Sequence, residues 1–155
     1  MKIKKMTPTC DLRTVKDGRG GIFTWLPKDP IVEFNLVFIK ANKLRGNHHH
    51  PEFDEYFLIT EGQGVIVSKK SKNSKEEFIY MGKGDCFHIP KLTNHVFYAI
   101  TDLNAVAMLT KKWDDCNPPI VHENLGMGDG DFGDPNYKKS KIKDEEYNPI
   151  KEKKK

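Results

Sequence analysis

The sequence has few of the features that mark a secreted, disulfide-rich or membrane-spanning protein. Cysteine is scarce, since the 155 residues include only three, Cys10, Cys86 and Cys116. An odd number without metal-type spacing indicates reduced thiols, so we expect a cytoplasmic protein. The sequence also lacks an apolar run of about 18 residues, which excludes a membrane-spanning helix. Its basic N-terminus has no apolar segment of the kind that signal peptides contain.

Excess positive charge is confined to the end of the chain. Residues 138–155 hold eight lysines and four acidic residues, a net charge of +4 that equals the net charge of the whole sequence. The rest of the chain is therefore close to neutral. This argues against a nucleic-acid partner, because proteins that bind nucleic acids usually carry their basic residues on the folded surface. We predict a disordered Lys-rich tail over residues 138–155.

The remaining chain has the composition of one β-rich domain. About eight or nine short segments rich in β-branched and aromatic residues alternate with turn residues, which predicts an all-β double-sheet jelly roll over residues 1–112. One of these strands is predicted over residues 22–26. Residues 56–59 are apolar on both faces, so we expect that strand to be covered by the interior on one side and by a second layer or subunit on the other. Residues 113–137 are too rich in Gly, Pro and Asp for regular structure, so this segment is expected either to wrap over the jelly roll or to extend from it.

The candidate site begins with a cluster of histidines. His48 and His50 lie one residue apart, Glu55 follows five positions after His50, and Gly62 follows seven positions after Glu55. Because alternate side chains of a strand share a face, the two imidazoles are expected to point the same way. His49 is then expected to point away from them.

A second stretch, residues 84–95, combines a glycine, Pro90 and another candidate ligand, His95. Together the two stretches resemble the paired motifs of the cupin family, which run Gly, His-x-His, Glu, Gly and then Gly, Pro, His. Leu92 stands where the second motif usually has a glycine. The resemblance covers roughly residues 18–112 and implies a cupin barrel, a jelly roll that is also described as a double-stranded β-helix.

The histidines and the carboxylate form a metal-type donor set. Three imidazoles and one carboxylate suit a divalent transition metal such as Fe, Mn, Zn, Ni or Cu better than Ca or Mg, which prefer oxygen ligands. We therefore predict that His48, His50, Glu55 and His95 bind such a metal. The alternative is that the histidines occupy an exposed turn and that Glu55 is a solvated strand end.

Arginine is scarce as well, and two of the three arginines, Arg19 and Arg45, precede glycine. This pattern resembles small cupins of sugar-nucleotide metabolism, namely the deoxysugar 3,5-epimerases, the 3,4-ketoisomerases and the cupin domain of capsular-polysaccharide epimerase-reductases. The resemblance implies that both arginines bind substrate, since a guanidinium group binds phosphate bidentately. The alternative is that they are turn residues in surface ion pairs.

The resemblance also implies candidate catalytic residues. In the epimerases the catalytic base falls on His48, and in the metal-free ketoisomerases His48 and His50 carry the proton transfers. Glu55 stands where those ketoisomerases usually have Gln, which favours a metal. A histidine bound to metal is a poor base, so the base would then be another group such as His88 or a tyrosine. The alternative for His88, which lies two residues before Pro90, is an outward-facing strand position.

We therefore predict a metal-binding cupin that acts as an isomerase or epimerase on a keto-sugar nucleotide in glycan or polysaccharide biosynthesis. Two alternatives remain open at this point, a mononuclear metal-dependent dioxygenase of small molecules and a non-catalytic cupin that binds a small ligand. We expect a homodimer, with neither a membrane nor a nucleic acid as a partner.

Overall fold

A computed structural model of the chain describes residues 2–9 and 15–128, and the strands dominate this part of the chain. Within it there are twelve strands and one short 3-10 helix, Trp113–Asp115. The strands are β1 (Lys4–Met6), β2 (Val15–Asp17), β3 (Gly20–Ile22), β4 (Glu33–Ile39), β5 (Leu44–His49), β6 (Glu55–Glu61), β7 (Gln63–Ser68), β8 (Glu77–Gly82), β9 (Cys86–Ile89), β10 (His95–Ala99), β11 (Leu103–Leu109) and β12 (Val121–His122).

Ten of these strands form two five-stranded sheets, and β2 and β3 form a separate hairpin. The first sheet has the order β1-β9-β6-β11-β4, and the second has the order β12-β5-β10-β7-β8. Every pairing between these strands is antiparallel. The predicted all-β architecture with two sheets is confirmed. None of the described residues belongs to a helix long and apolar enough to cross a membrane.

The hydrophobic core lies between the inner faces of the two sheets. Strand β11 shows how the pleat builds it, because Leu103, Ala105, Ala107 and Leu109 alternate with half-buried residues and are all buried. Alternate side chains of a strand point to opposite faces, so one strand contributes every second residue to the core. Aromatic residues fill the middle, where the rings of Phe57 and Phe97 stack with their centroids 4.3 Å apart.

The outer face of β6 is covered by the chain itself. Tyr56 and Phe57, on opposite faces of the strand, are both buried, which confirms that β6 is covered on both sides. The residues that share a small outer cavity with Tyr56 include Met6, Trp25 and Pro27, from the N-terminal part of the chain. The covering layer over Tyr56 is therefore this N-terminal segment, and burial there does not require a second subunit.

Two sequence predictions differ from the structure. The strand expected over residues 22–26 is wrong, because β3 ends at Ile22 and Thr24 makes an isolated bridge to Thr9. The turn at residues 18–19 sets the register of the β2–β3 hairpin, so the pairing begins before the apolar run. The composition of residues 113–137 predicts irregular structure, yet the described part contains the 3-10 helix and β12.

Some predictions concern residues outside the described part. These are the Lys-rich tail over residues 138–155, residues 129–137 of the C-terminal segment, and Cys10. The other two cysteines, Cys86 and Cys116, are free thiols, and Cys86 is buried. Residues 113–128, which we call the strap, leave the first sheet after β11 and pack against the second sheet through β12, Leu125 and Met127.

Candidate metal centre

A bulge in β5 decides which of its side chains face the space between the sheets. In β10, His95 pairs with His48, but the next residue, Val96, pairs with Gly46. The register therefore shifts by one residue. Gly46 and Asn47 both have positive φ, 125° and 66°. A Cβ atom at Gly46 would collide with the carbonyl oxygen of His95, so this close approach requires glycine. The bulge lets Arg45 and His48 line the same cavity.

Three of the predicted ligands come together at this bulge. One ring nitrogen from each of His48, His50 and His95 lies within 4.8 Å of the others. The ring centroid of His48 lies 4.9 Å from that of His50 and 4.8 Å from that of His95. His50 and His95 are buried, and His48 is half-buried. The strand alternation predicted from the sequence thus places His48 and His50 on one side, and β10 brings in His95.

Two of these imidazoles are oriented by backbone carbonyl groups. Nδ1 of His50 lies 3.0 Å from the carbonyl oxygen of Pro119, and Nδ1 of His95 lies 2.9 Å from that of Thr93. A carbonyl oxygen can only accept a hydrogen bond, so in the neutral form of each ring Nδ1 carries the proton and Nε2 carries the lone pair. Histidines that bind a metal usually donate their other N–H to such a partner. The donor set therefore fits a transition metal.

Glu55, the first residue of β6, lies beside this cluster. Its Oε2 is 3.7 Å from Nε2 of His50, and its side chain is only 10% exposed. It is not one of the three residues whose ligand atoms lie within 4.8 Å of one another. Burial raises the pKa of Glu55 to about 7 and lowers the pKa of His50 to about 4. The pair is therefore not an ion pair near neutral pH, and a bound cation would favour the ionised carboxylate.

Two members of the cluster, His48 and His50, line a cavity of about 410 Å³ between the sheets, and His95 is fully buried behind them. That volume is in the range of small-molecule sites, which are mostly apolar with a few polar groups. Inward-facing apolar residues of both sheets line much of it. The polar side chains that line it are Asn35, Arg45, His48, His50, Glu55 and His122.

The strap supplies a wall of this cavity that the sequence patterns did not reveal. Trp113, Ile120 and His122 line the cavity, and the carbonyl of Pro119 orients His50. Strand β12 pairs with β5 next to the histidine cluster, with His122 opposite His48. The available sequence signal was the apolar pair Ile120 and Val121, which follows two prolines and precedes His122. It is too short to distinguish a strand from a loop.

The two predicted substrate-binding arginines occupy different places. Arg45 lines the cavity. Arg19 lies in the β2–β3 hairpin with its side chain 89% exposed, and its Nη2 is 2.6 Å from Oδ2 of Asp17. Arg19 does not line the cavity. Its position matches the alternative interpretation, a turn residue in a surface ion pair.

His88 and His49 lie apart from the cluster. His88 pairs with Tyr56 across β9 and β6, stacks on its ring and has Nε2 2.8 Å from Oδ2 of Asp54. Glu55 and Tyr56 point to opposite faces of the sheet, so His88 faces away from the cavity. This placement does not support His88 as a base for a substrate in the cavity. His49 has its Nδ1 3.4 Å from Oδ1 of Asn94, outside the cluster.

Comparison with known proteins agrees with this architecture. A family model described as Cupin matches residues 26–116. No individual curated protein matches the chain in sequence. The part of the strap that reaches Pro119, Ile120 and His122 lies beyond the matched residues.

Solved structures of similar fold include enzymes of sugar-nucleotide chemistry. The 3'-monoepimerase ChmJ from Streptomyces bikiniensis has a TM-score of 0.65 and 16% identity, over 81% of this chain and 73% of that one. The 3,4-ketoisomerase QdtA from Thermoanaerobacterium thermosaccharolyticum has a TM-score of 0.63 and 13% identity, over 78% and 88%. The capsular polysaccharide assembling protein CapF from Staphylococcus aureus has a TM-score of 0.55 and 22% identity. The match covers 72% of this chain but only 32% of CapF.

The buried carboxyl of Glu55 predicts a pH-dependent effect of Glu55→Gln in chelator-treated protein. The pKa of about 7 in the folded protein lies above the ordinary 4.5, so the stability that the protonated carboxyl contributes is lost as pH rises through 7. Gln does not ionise and avoids this loss. We expect the difference in free energy of unfolding, variant minus wild type, to increase by roughly 2–3 kcal/mol from pH 5 to pH 8. Urea denaturation at both pH values measures this, and a difference independent of pH would contradict it.

Proposed function

We propose, from the premise that this chain belongs to the cupin family, that it binds a divalent transition metal through His48, His50 and His95, with Glu55 as a fourth ligand. The observation that carries this proposal is the pair of carbonyl contacts at His50 and His95, which leave the lone pair of each ring on Nε2. Neutral imidazoles favour Fe, Mn, Zn, Ni or Cu. The low pKa of His50 keeps that ring neutral at physiological pH.

Alanine substitutions test the metal site directly. In protein purified without a nickel column, we expect about one metal ion per chain by elemental analysis, and loss of that metal in His50→Ala and His95→Ala. The apparent dissociation constant in chelator competition should rise at least about 100-fold, because the loss of a group that only hydrogen-bonds to a ligand already costs about 10–100-fold.

The matched control for the metal site is His49→Ala, since His49 is adjacent in sequence but lies outside the cluster. It should keep its metal. Equal metal content in all of these folded variants would overturn the proposed ligand set.

We further propose that the protein is an isomerase or epimerase acting on a keto-sugar nucleotide. Among the solved proteins of similar fold, ChmJ is a 3'-monoepimerase seen in complex with dTDP, and QdtA is a 3,4-ketoisomerase seen with TDP-4-keto-6-deoxyglucose. Arg45 supports a phosphate-bearing substrate, because it lines the cavity that holds the histidines and a guanidinium group binds phosphate bidentately. The likeness to CapF, a capsular polysaccharide assembling protein, supports a place in polysaccharide biosynthesis.

Several groups that line the cavity support a reaction of this kind. Isomerisation or epimerisation beside a ketone removes a proton from one carbon and returns a proton to the same or another carbon. A metal held by the cluster would polarise the ketone as a Lewis acid. His122 adds an imidazole at the cavity wall outside the proposed ligand set, and Arg45 adds a guanidinium group that can bind the diphosphate.

Solvent exchange tests this reaction. In D2O, we expect the protein to introduce deuterium at a ring carbon next to the ketone of dTDP-4-keto-6-deoxyglucose or a related nucleoside-diphosphate keto-sugar, as followed by proton NMR. Arg45→Ala should raise KM at least about tenfold through loss of a charge-assisted phosphate contact. No exchange and no new product across a panel of such sugars would refute the proposed activity.

The control for Arg45→Ala is Arg19→Ala, because the Arg19 side chain is exposed and lies outside the cavity. It should exchange deuterium at the wild-type rate. An equal loss in both arginine variants would argue that the cavity is not where the phosphates bind.

We also propose a homodimer that forms through β4. This strand is an edge of the first sheet, and it exposes 77% of Phe34 and 42% of Leu36. An apolar edge strand promotes association unless it is covered. Sedimentation equilibrium should show a dimer for the wild type and a monomer for Phe34→Glu. Phe78→Glu, on the edge strand of the second sheet, should remain a dimer, and a wild-type monomer would exclude this interface.

A further inference from the structure

Trp113 is placed unusually for such a large apolar side chain. Its residue is 38% exposed, yet it lines the cavity that holds the histidine cluster. The indole centroid lies 6.0 Å from that of His50 and 6.3 Å from that of Phe53. The other two large aromatic residues that line the cavity, Phe57 and Phe97, are buried in the core. Among these three, Trp113 is the one with substantial exposed surface.

The backbone around Trp113 is held in place by two carboxylates. The N–H of Trp113 donates to Oε1 of Glu33 at 3.0 Å. Glu52 accepts from the N–H of Asn117 and pairs with Nζ of Lys111 at 2.7 Å. These contacts tie both ends of the 3-10 turn to other parts of the chain, so the backbone that carries the indole is fixed at the cavity. Fixed groups of this kind orient a substrate better than a mobile side chain does.

The position of the indole restricts which part of a substrate could meet it. If the ketone faces the histidines, the ring that carries it lies beside His50, and Trp113 is the aromatic neighbour of His50 at the cavity. The base of a sugar nucleotide is separated from that ring by the diphosphate, so it would lie farther from the cluster. An indole offers a broad apolar surface and no acceptor for hydroxyl groups.

We propose that Trp113 is the platform on which the reacting sugar ring stacks, and that it favours rings with an apolar face, such as deoxy-sugars, over fully hydroxylated ones. This inference rests on the proposed function. A hydroxyl group pressed against the indole would lose its hydrogen bonds to water without replacement, which disfavours the more polar ring. Trp113 is thus a substrate-positioning and selecting residue on the strap.

Three substitutions test the platform. In the deuterium-exchange assay, Trp113→Ala and Trp113→Leu should lower kcat/KM for dTDP-4-keto-6-deoxyglucose roughly tenfold, and Trp113→Phe should restore most of it, because Phe keeps a flat face. All three should retain the metal content and thermal midpoint of the wild type. If the wild type exchanges deuterium and Trp113→Ala and Trp113→Leu match it, the inference fails while the proposed function stands.

Fluorescence provides a readout that does not depend on turnover. The chain has two tryptophans, and Trp25 lines the outer cavity on the other face of the first sheet, so Trp25→Phe leaves Trp113 as the single reporter. We expect the keto-sugar nucleotide to quench or shift this emission and dTDP alone to change it little. An equal change with dTDP alone would mean that the base stacks on Trp113 and would overturn the inference. If the wild type shows no exchange with any sugar, the proposed function fails, and this titration still decides whether the sugar ring contacts Trp113.

Discussion

The close approach of β5 and β10 at Gly46 is the constraint on which the site depends. Gly46 lies so near the carbonyl of His95 that no side chain fits between the two strands. The bulge that starts there turns His48 toward His95 and keeps Arg45 on the same side. A larger residue at position 46 would push the strands apart or change the register. Either change would separate the imidazoles, although each of them would still be present in the sequence.

The strap connects the second sheet to the histidine cluster. It pairs with β5 through β12, accepts a hydrogen bond from the side chain of Asn47 at Gly128, and places the carbonyl of Pro119 on His50. Its buried residues Leu125 and Met127 pack on the outer face of the second sheet, so apolar burial holds it in place. The orientation of a proposed ligand and one wall of the cavity therefore come from a segment that follows β11 and adds β12 to the second sheet.

Burial gives the site its electrostatic character. The same loss of solvent that lowers the pKa of His50 raises the pKa of Glu55, because burial disfavours the charged form of each group. The result is a neutral imidazole, His50, beside a carboxyl that is costly to ionise. A bound divalent cation would remove that cost by supplying the missing opposite charge. Without a cation, the raised pKa of the Glu55 carboxyl lowers the free energy of unfolding as pH rises toward 7.

The sequence by itself determined the fold class and much of the donor set. The alternation of apolar residues predicted the main strands, and the spacing of His48 and His50 placed two imidazoles on one face, because strand geometry has a period of two. Only the tertiary structure decided which other residues reach the cavity and which face away from it. The faces of Arg45 and His88, and the role of the strap residues Trp113 and Pro119, depend on a bulge and on contacts between segments distant in sequence. Local patterns do not encode such contacts, since a one-residue shift in register reverses the face of every side chain that follows.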